Sequence, residues 1–175
     1  KVILAVMDPV TNTWYRFFIS AIIALLWYGH RRGAALKSLL FSTRWPLTAV
    51  AVLGLLSNYL LYIWGLDHIT PGAAQILIQL GPLLLLIGSV LIFKEEFSAQ
   101  QWLGVATLIV GMLLFCHQRL NNIVLTSDTY LAGIGLIVAA AITWAIYGLA
   151  QKQLVVAHDA KDILFLICLA GTLLL

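Results

Sequence analysis

The stretch Thr70–Phe93 reads TPGAAQILIQLGPLLLLIGSVLIF and carries no charge. A helix rises about 1.5 Å per residue, so about 20 apolar residues match the ~30 Å hydrocarbon core of a bilayer. Thr70 is placed to cap the N-terminus, and Pro71 falls in the first turn, where a missing N–H is harmless. Further in, Gly81-Pro82 should loosen the helix, because Pro removes a backbone hydrogen bond and crowds the carbonyl four residues earlier. Gln75, Gln79 and Pro82 recur at helical spacing and share one face. A break with amides beside it is tolerated at membrane depth where the freed carbonyl meets protein or a wet cavity. This face reads as cavity-lining; interhelical hydrogen bonding with a packing kink is the plainer account.

The same pattern extends in both directions. Lys1–Met7 reads as the tail of a first span, followed by span 2 at Asn12–Tyr28 and span 3 at Trp45–Leu66. Beyond span 4 (Thr70–Phe93) come span 5 at Ala99–Cys116, span 6 at Tyr130–Leu154 and the start of a seventh near Asp162. Asp8-Pro9, Ser98 and Asp128 or Thr129 mark the divisions. Short connections predict that sequential helices pack as antiparallel neighbours. The fold class is all-α: a polytopic transmembrane bundle of five full and two partial spans. The chain is 62% hydrophobic and 10% charged, with mean hydropathy +1.01. Soluble domains sit near half apolar and a quarter charged, so the solvent this composition suits is lipid. The chain opens at Lys1 and stops at Leu175 inside apolar runs, which reads as a piece of a longer protein.

Charge sets an orientation. Arg31, Arg32, Lys37 and Arg44 lie between spans 2 and 3, Lys94 between 4 and 5, and Lys152 and Lys161 between 6 and 7. All three loops are on one side, and the opposite side has only Arg119, so the basic side is expected in the cytoplasm. Trp14 and Trp64 near one set of ends, and Trp27, Trp45 and Trp102 near the other, form the aromatic belts; Trp144 lies deep in span 6. The net charge of +3 is spread between apolar runs and gives no nucleic-acid stripe. Cys116 and Cys168 have no metal-ligand spacing, and Cys168 reads as a small core residue.

The acids (Asp8, Asp67, Glu95, Glu96, Asp128, Asp159, Asp162) and the four histidines map to loops or helix ends. Proton relays, metal sites and intramembrane hydrolysis by carboxylates therefore have no residues in spans 2–6. What the spans do hold is neutral and aromatic. Asn58 and Tyr62 share a face of span 3 with Gly54 and Gly65, beside Tyr59. Trp144, Tyr147 and Gln151 share a face of span 6. With Gln75 and Gln79 these are the candidate substrate-binding residues of a central cavity. Arg16, one turn into span 2, is the remaining candidate: it reads either as an interfacial arginine snorkelling to the headgroups or as a ligand for an anionic group. Gly81 and Gly88, and Gly104 and Gly111, each lie seven apart on one helix face and read as close-packing positions.

Trp14-Tyr15-Arg16-Phe17-Phe18-Ile19-Ser20-Ala21, Gly81-Pro82, Phe93-Lys94-Glu95, and Leu103-Gly104-Val105-Ala106 through Gly111-Met112 together resemble the EamA-type permeases of the drug/metabolite transporter superfamily. The resemblance implies a ten-helix transporter of two five-helix repeats in inverted topology. Residues 1–117 would then be the first repeat and 130–175 the start of the second. An offset of 151 pairs Lys1 with Lys152, Asp8 with Asp159 and Trp14 with Phe165. The function implied is a secondary transporter or facilitator in the cytoplasmic membrane, moving small metabolites, amino-acid-like or amphipathic drug-like, by alternating access. Its partners would be a small-molecule substrate and the lipid bilayer, with a homodimer as an open assembly state; no nucleic acid and no cofactor is implied. The alternatives are a nucleotide-sugar or phosphorylated-sugar carrier, which wants more cavity cations than Arg16 and Lys1, and a non-transporting membrane subunit. A membrane-embedded enzyme would need catalytic groups that these spans lack.

Overall fold

A computed structural model describes residues 8–28, 39, 43–123 and 128–175, with the side chains of 9, 28 and 115–123 excepted. Lys1–Met7, Arg31, Arg32 and Lys37 lie outside the described residues, as does the side chain of Arg119. The described chain is helical and contains no strand: α1 Pro9–Tyr28, α2 Trp45–His68, α3 Pro71–Leu77, α4 Leu80–Phe93, α5 Ala99–Ile123, α6 Asp128–Val155 and α7 Ala160–Leu174. Three stretches are long and apolar enough to cross a membrane: α2, α3 with α4 (Pro71–Phe93), and α6. Large apolar side chains cover the exterior, with Leu26, Leu91 and Leu103 exposed at 81%, 73% and 69%. In water such a surface would aggregate; against acyl chains it is at no disadvantage.

The helix starts follow from local chemistry. Asp8 Oδ2 accepts from the backbone N–H of Val10 at 3.1 Å. Thr70 accepts from Ala73 N at 3.4 Å, as its position before Pro71 predicts. Ser98 and Gln101 form a reciprocal capping box, Ser98 N donating to Gln101 Oε1 at 2.8 Å and Gln101 N to Ser98 Oγ at 3.3 Å. Asp159 caps α7 by accepting from Lys161 N, three residues before the start expected at Asp162.

The main packing is between helices distant in sequence. The most extensive contacts join α2 to α6, then α4 to α6 and α1 to α7, while α1 meets α2 over a short length. This differs from the expectation that consecutive helices would be principal neighbours. The reason is surface shape. Gly65 and Gly133 face each other across α2 and α6, where a Cβ built on Gly65 would stand 3.2 Å from Gly133 O. Small residues at such a crossing let two backbones approach and gain dispersion contacts that larger side chains would block. Between α1 and α7, Phe17 packs on Gly171, and Trp14 Nε1 donates to Thr172 O at 3.0 Å.

Two apolar clusters result. One, toward the Trp45 end, gathers Phe17, Ala51, Leu56, Leu154, Ile163 and Ile167. The other, toward the His68 end, gathers Ile69, Ala73, Ala74 and Ile137. At the Trp45 end α6 is tied to its neighbours by polar contacts: Lys152 Nζ donates to Ser89 Oγ at 3.2 Å and pairs with Glu95, and Arg44 Nη1 donates to Gln153 O at 3.1 Å.

Candidate functional site: a polar cleft between the two clusters

The break in span 4 is a short turn. Pro82 has no N–H to offer the carbonyl of Ile78, and Gly81 N takes that carbonyl instead at 2.9 Å, three residues on. Gln79 N likewise reaches back to Ile76 O at 3.0 Å. The chain thus tightens to 3₁₀ spacing at Ile78-Gln79, with φ/ψ of −65/−20 and −66/−12, before α4 resumes. The turn therefore precedes Gly81-Pro82 by about one turn, and Gln79 is its corner residue. Gly81 also makes room for Trp144 of α6, whose Cε3 lies 3.0 Å from where a Cβ would stand.

On α2, Asn58 is buried and its Nδ2 donates to Ala140 O of α6 at 2.8 Å. That carbonyl also accepts from Thr143 Oγ1 at 2.9 Å. Asn58 thus performs the interhelical bonding that polar residues in bundles often do. On α1, the Arg16 guanidinium stands over the Tyr59 ring, 5.3 Å from Cζ to centroid. Phe17 meets the same ring edge-on at 5.4 Å and 77°.

These elements enclose a cleft of about 320 Å³ lined by Arg16, Asn58, Tyr59, Tyr62, Gln75, Ile78, Gln79, Pro82 and Trp144. Tyr59 borders the Trp45-end cluster and Tyr62 the His68-end cluster, so the cleft separates the two cores near the middle of α2 and α6. Six of the eight residues selected from sequence meet here: Arg16, Asn58, Tyr62, Gln75, Gln79 and Trp144. Tyr147 and Gln151 do not line it. Tyr147 packs against the Trp45-end cluster, with its Cβ beside Gly54. The reason is axial: Tyr147 and Gln151 share a face with Trp144 but lie about one and two turns further along α6, roughly 5 and 10 Å past it. Tyr59 and Ile78 belong to the lining without having been singled out. Tyr59 follows Asn58 directly and faces α1, a placement that depends on where α1 docks.

Among the described residues, no hydrogen bond engages the side chains of Tyr62, Gln75, Gln79 or the indole N–H of Trp144. Polar groups at membrane depth are costly unless something meets them, and lipid offers nothing. The cleft therefore presents donors and acceptors that no described residue satisfies and that water or a solute can meet. No group of three or more His, Cys, Asp or Glu side chains comes together as metal ligands among the described residues.

A second hollow of about 470 Å³, almost wholly apolar, lies beside the cleft and shares Gln79 with it. Its other lining residues are Ile76, Gly104, Thr107, Leu108, Gly111 and Met112. The expected close packing at Gly104 and Gly111 is not present among the described residues: nothing comes within 4 Å of a Cβ built on either. Ile76 and Gln79 stand across the hollow from that face of α5. Gly88 does pack closely, against Leu149.

Residues 1–116 match the model of the EamA-like transporter family. The chain belongs to that family. It is 36% identical over 171 residues to a Haemophilus influenzae protein named as an uncharacterized transporter, covering 97% of this chain and 55% of the relative. It is 34% identical over 169 residues to the Escherichia coli protein named as uncharacterized inner membrane transporter YhbE, covering 95% and 52%. A shorter match, 39% over 70 residues, covers 40% of this chain and 60% of an Aeromonas hydrophila protein named as probable 4-amino-4-deoxy-L-arabinose-phosphoundecaprenol flippase subunit ArnE. No solved structure matches the chain significantly. The chain spans about half the length of the longer curated relatives it matches. Those relatives are named as transporters, and the three apolar spanning stretches of this EamA member agree with a membrane location.

Proposed function

We propose that this chain is about half of a ten-helix permease of two inverted repeats, and that the cleft between α1, α2, α3/α4 and α6 is where its cargo binds. The reading divides the chain at 1–117 and 130–175 and counts five full and two partial spans. The basic loops face the cytoplasm, by the loop charge asymmetry. The cargo is a small amphipathic metabolite. The observation that carries the reading is the set of unengaged polar side chains, Tyr62, Gln75, Gln79 and Trp144, gathered at mid-depth beside a broken helix. Neutral amides orient a solute while aromatic faces bind its body by area and stacking. A mid-depth site reached from each side in turn is a recurring plan in transporters built from inverted repeats.

The test is a growth-protection assay in cells overproducing the complete gene product, against a panel of toxic amino-acid analogues and amphipathic drugs. Trp144→Ala and Gln79→Leu are expected to change which compounds are tolerated, at unchanged membrane levels. Variants that insert normally and match the parent across a panel on which the parent protects would place the cargo elsewhere.

A second reading has its own observation. The apolar hollow that shares Gln79 with the cleft suits a cargo with an acyl or prenyl tail, and one relative is named as a subunit of a phosphoundecaprenol-linked sugar flippase. A phosphorylated-sugar cargo without a tail is less well served, because Arg16 is the one cation in the described lining.

A further inference from the structure

The charge around the cleft narrows its ligand. Arg16 is the only charged residue of the described lining. All seven acids of the chain are among the described residues, and none pairs with it. Its environment is otherwise neutral: Asn58, Tyr59, Tyr62, Gln75, Gln79 and Trp144. Arg16 lies two turns into α1, roughly 10 Å from the helix start at 1.5 Å per residue. A guanidinium keeps its charge at any working pH, so an anion that enters the cleft meets a permanent cation there.

The guanidinium is also held in place. Tyr59 offers its ring face at 5.3 Å, and Phe17 fixes that ring edge-on from α1. Cation–π contact uses the face of the guanidinium and leaves its in-plane N–H fork free. The side chain is exposed, and it lines the cleft while standing over Tyr59. A planar fork with no acceptor among the described residues matches a carboxylate or a phosphate, which it can grip through two parallel hydrogen bonds.

Taking the cleft as the binding cavity proposed above, we propose that Arg16 is its anion-binding residue. It pairs with the carboxylate or phosphate of an amphipathic ligand whose apolar body lies against Tyr59, Tyr62 and Trp144. The anion could belong to a free solute or to a lipid headgroup, since both present the same oxygens.

The experiment uses the complete gene product in nanodiscs of zwitterionic lipid and compares ligands of one shape with and without charge. The probes are 3-phenylpropionate and 3-phenylpropionamide, with binding followed by calorimetry. The parent protein is expected to prefer the acid by ~10-fold, the usual effect of one charge-assisted pair. Arg16→Gln is expected to abolish that preference by weakening the acid ~10-fold more than the amide, and Arg16→Lys to restore part of it. Equal binding of acid and amide by the parent overturns the anion site and leaves the cavity reading intact. A preference that survives Arg16→Gln, or a variant that weakens acid and amide alike, also overturns it, the second by showing a packing role. Binding of neither ligand overturns the anion site and the cavity reading together. Adding phosphatidic acid to the nanodiscs separates the sources. Loss of acid binding there assigns the anion to a headgroup, and undisturbed binding assigns it to a free solute; each outcome upholds the site.

Discussion

The seam between α2 and α6 and the glycine face of α5 are both built on paired glycines, yet they are used in opposite ways. In the seam, a Cβ on Gly133 would fall 2.6 Å from His68 Cβ and 2.6 Å from Ile69 Cγ2, with Gly65 O at 3.3 Å. On α5, the same construction at Gly104 or Gly111 meets nothing within 4 Å. Glycines spaced along one face therefore do not identify a contact; they identify a face that can be contacted. In the seam the opposite helix is present in the chain. At α5 the glycines border an apolar hollow, and the longer relatives have almost twice the length of this chain.

The comparison is most exposed to failure at Gly133. Gly133→Leu should cost about 3 kcal/mol, at the upper end of overpacking penalties, because the backbone of α2 blocks relief. Unfolding of detergent-solubilised protein by SDS titration would measure it, and a near-neutral result would mean that the seam is looser than described. A smaller effect is expected from Asn58→Ala. It removes the bond to Ala140 O, but Thr143 Oγ1 still satisfies that carbonyl. Interhelical bonds of this type average about 0.6 kcal/mol, so the same titration should shift by roughly that amount. Gly104→Ala and Gly111→Ala should be the mildest, with a gain of about 0.5 kcal/mol each from helix propensity in this 175-residue chain. Repeating those two substitutions in the complete gene product sharpens the contrast: a loss there would show that further chain packs on the α5 glycines.

Much of the fold was legible because it follows from local rules. The apolar runs, the caps at Thr70 and Ser98, and the break near Pro82 depend on residues within a few positions of one another. The candidate site was legible in part. Gln75, Gln79 and Trp144 stand out as polar or bulky groups in apolar helices, and they do meet. Tyr147 stood out for the same reason and yet packs into the seam. The difference is one helical turn of α6, which no residue near Tyr147 reports.

By itself, the sequence determined that this chain is a helical membrane protein, how far its apolar runs extend, and which polar residues those runs contain. Those properties depend on composition and on periodicity within single helices. The tertiary structure alone decided that α2 takes α6 as its main partner, that Arg16 stands on Tyr59, and that Gly104 and Gly111 border open space. Each of these depends on how whole helices rotate and cross. That is set by the summed fit of many weak contacts along two surfaces, and such a sum has no signature in any short stretch of chain.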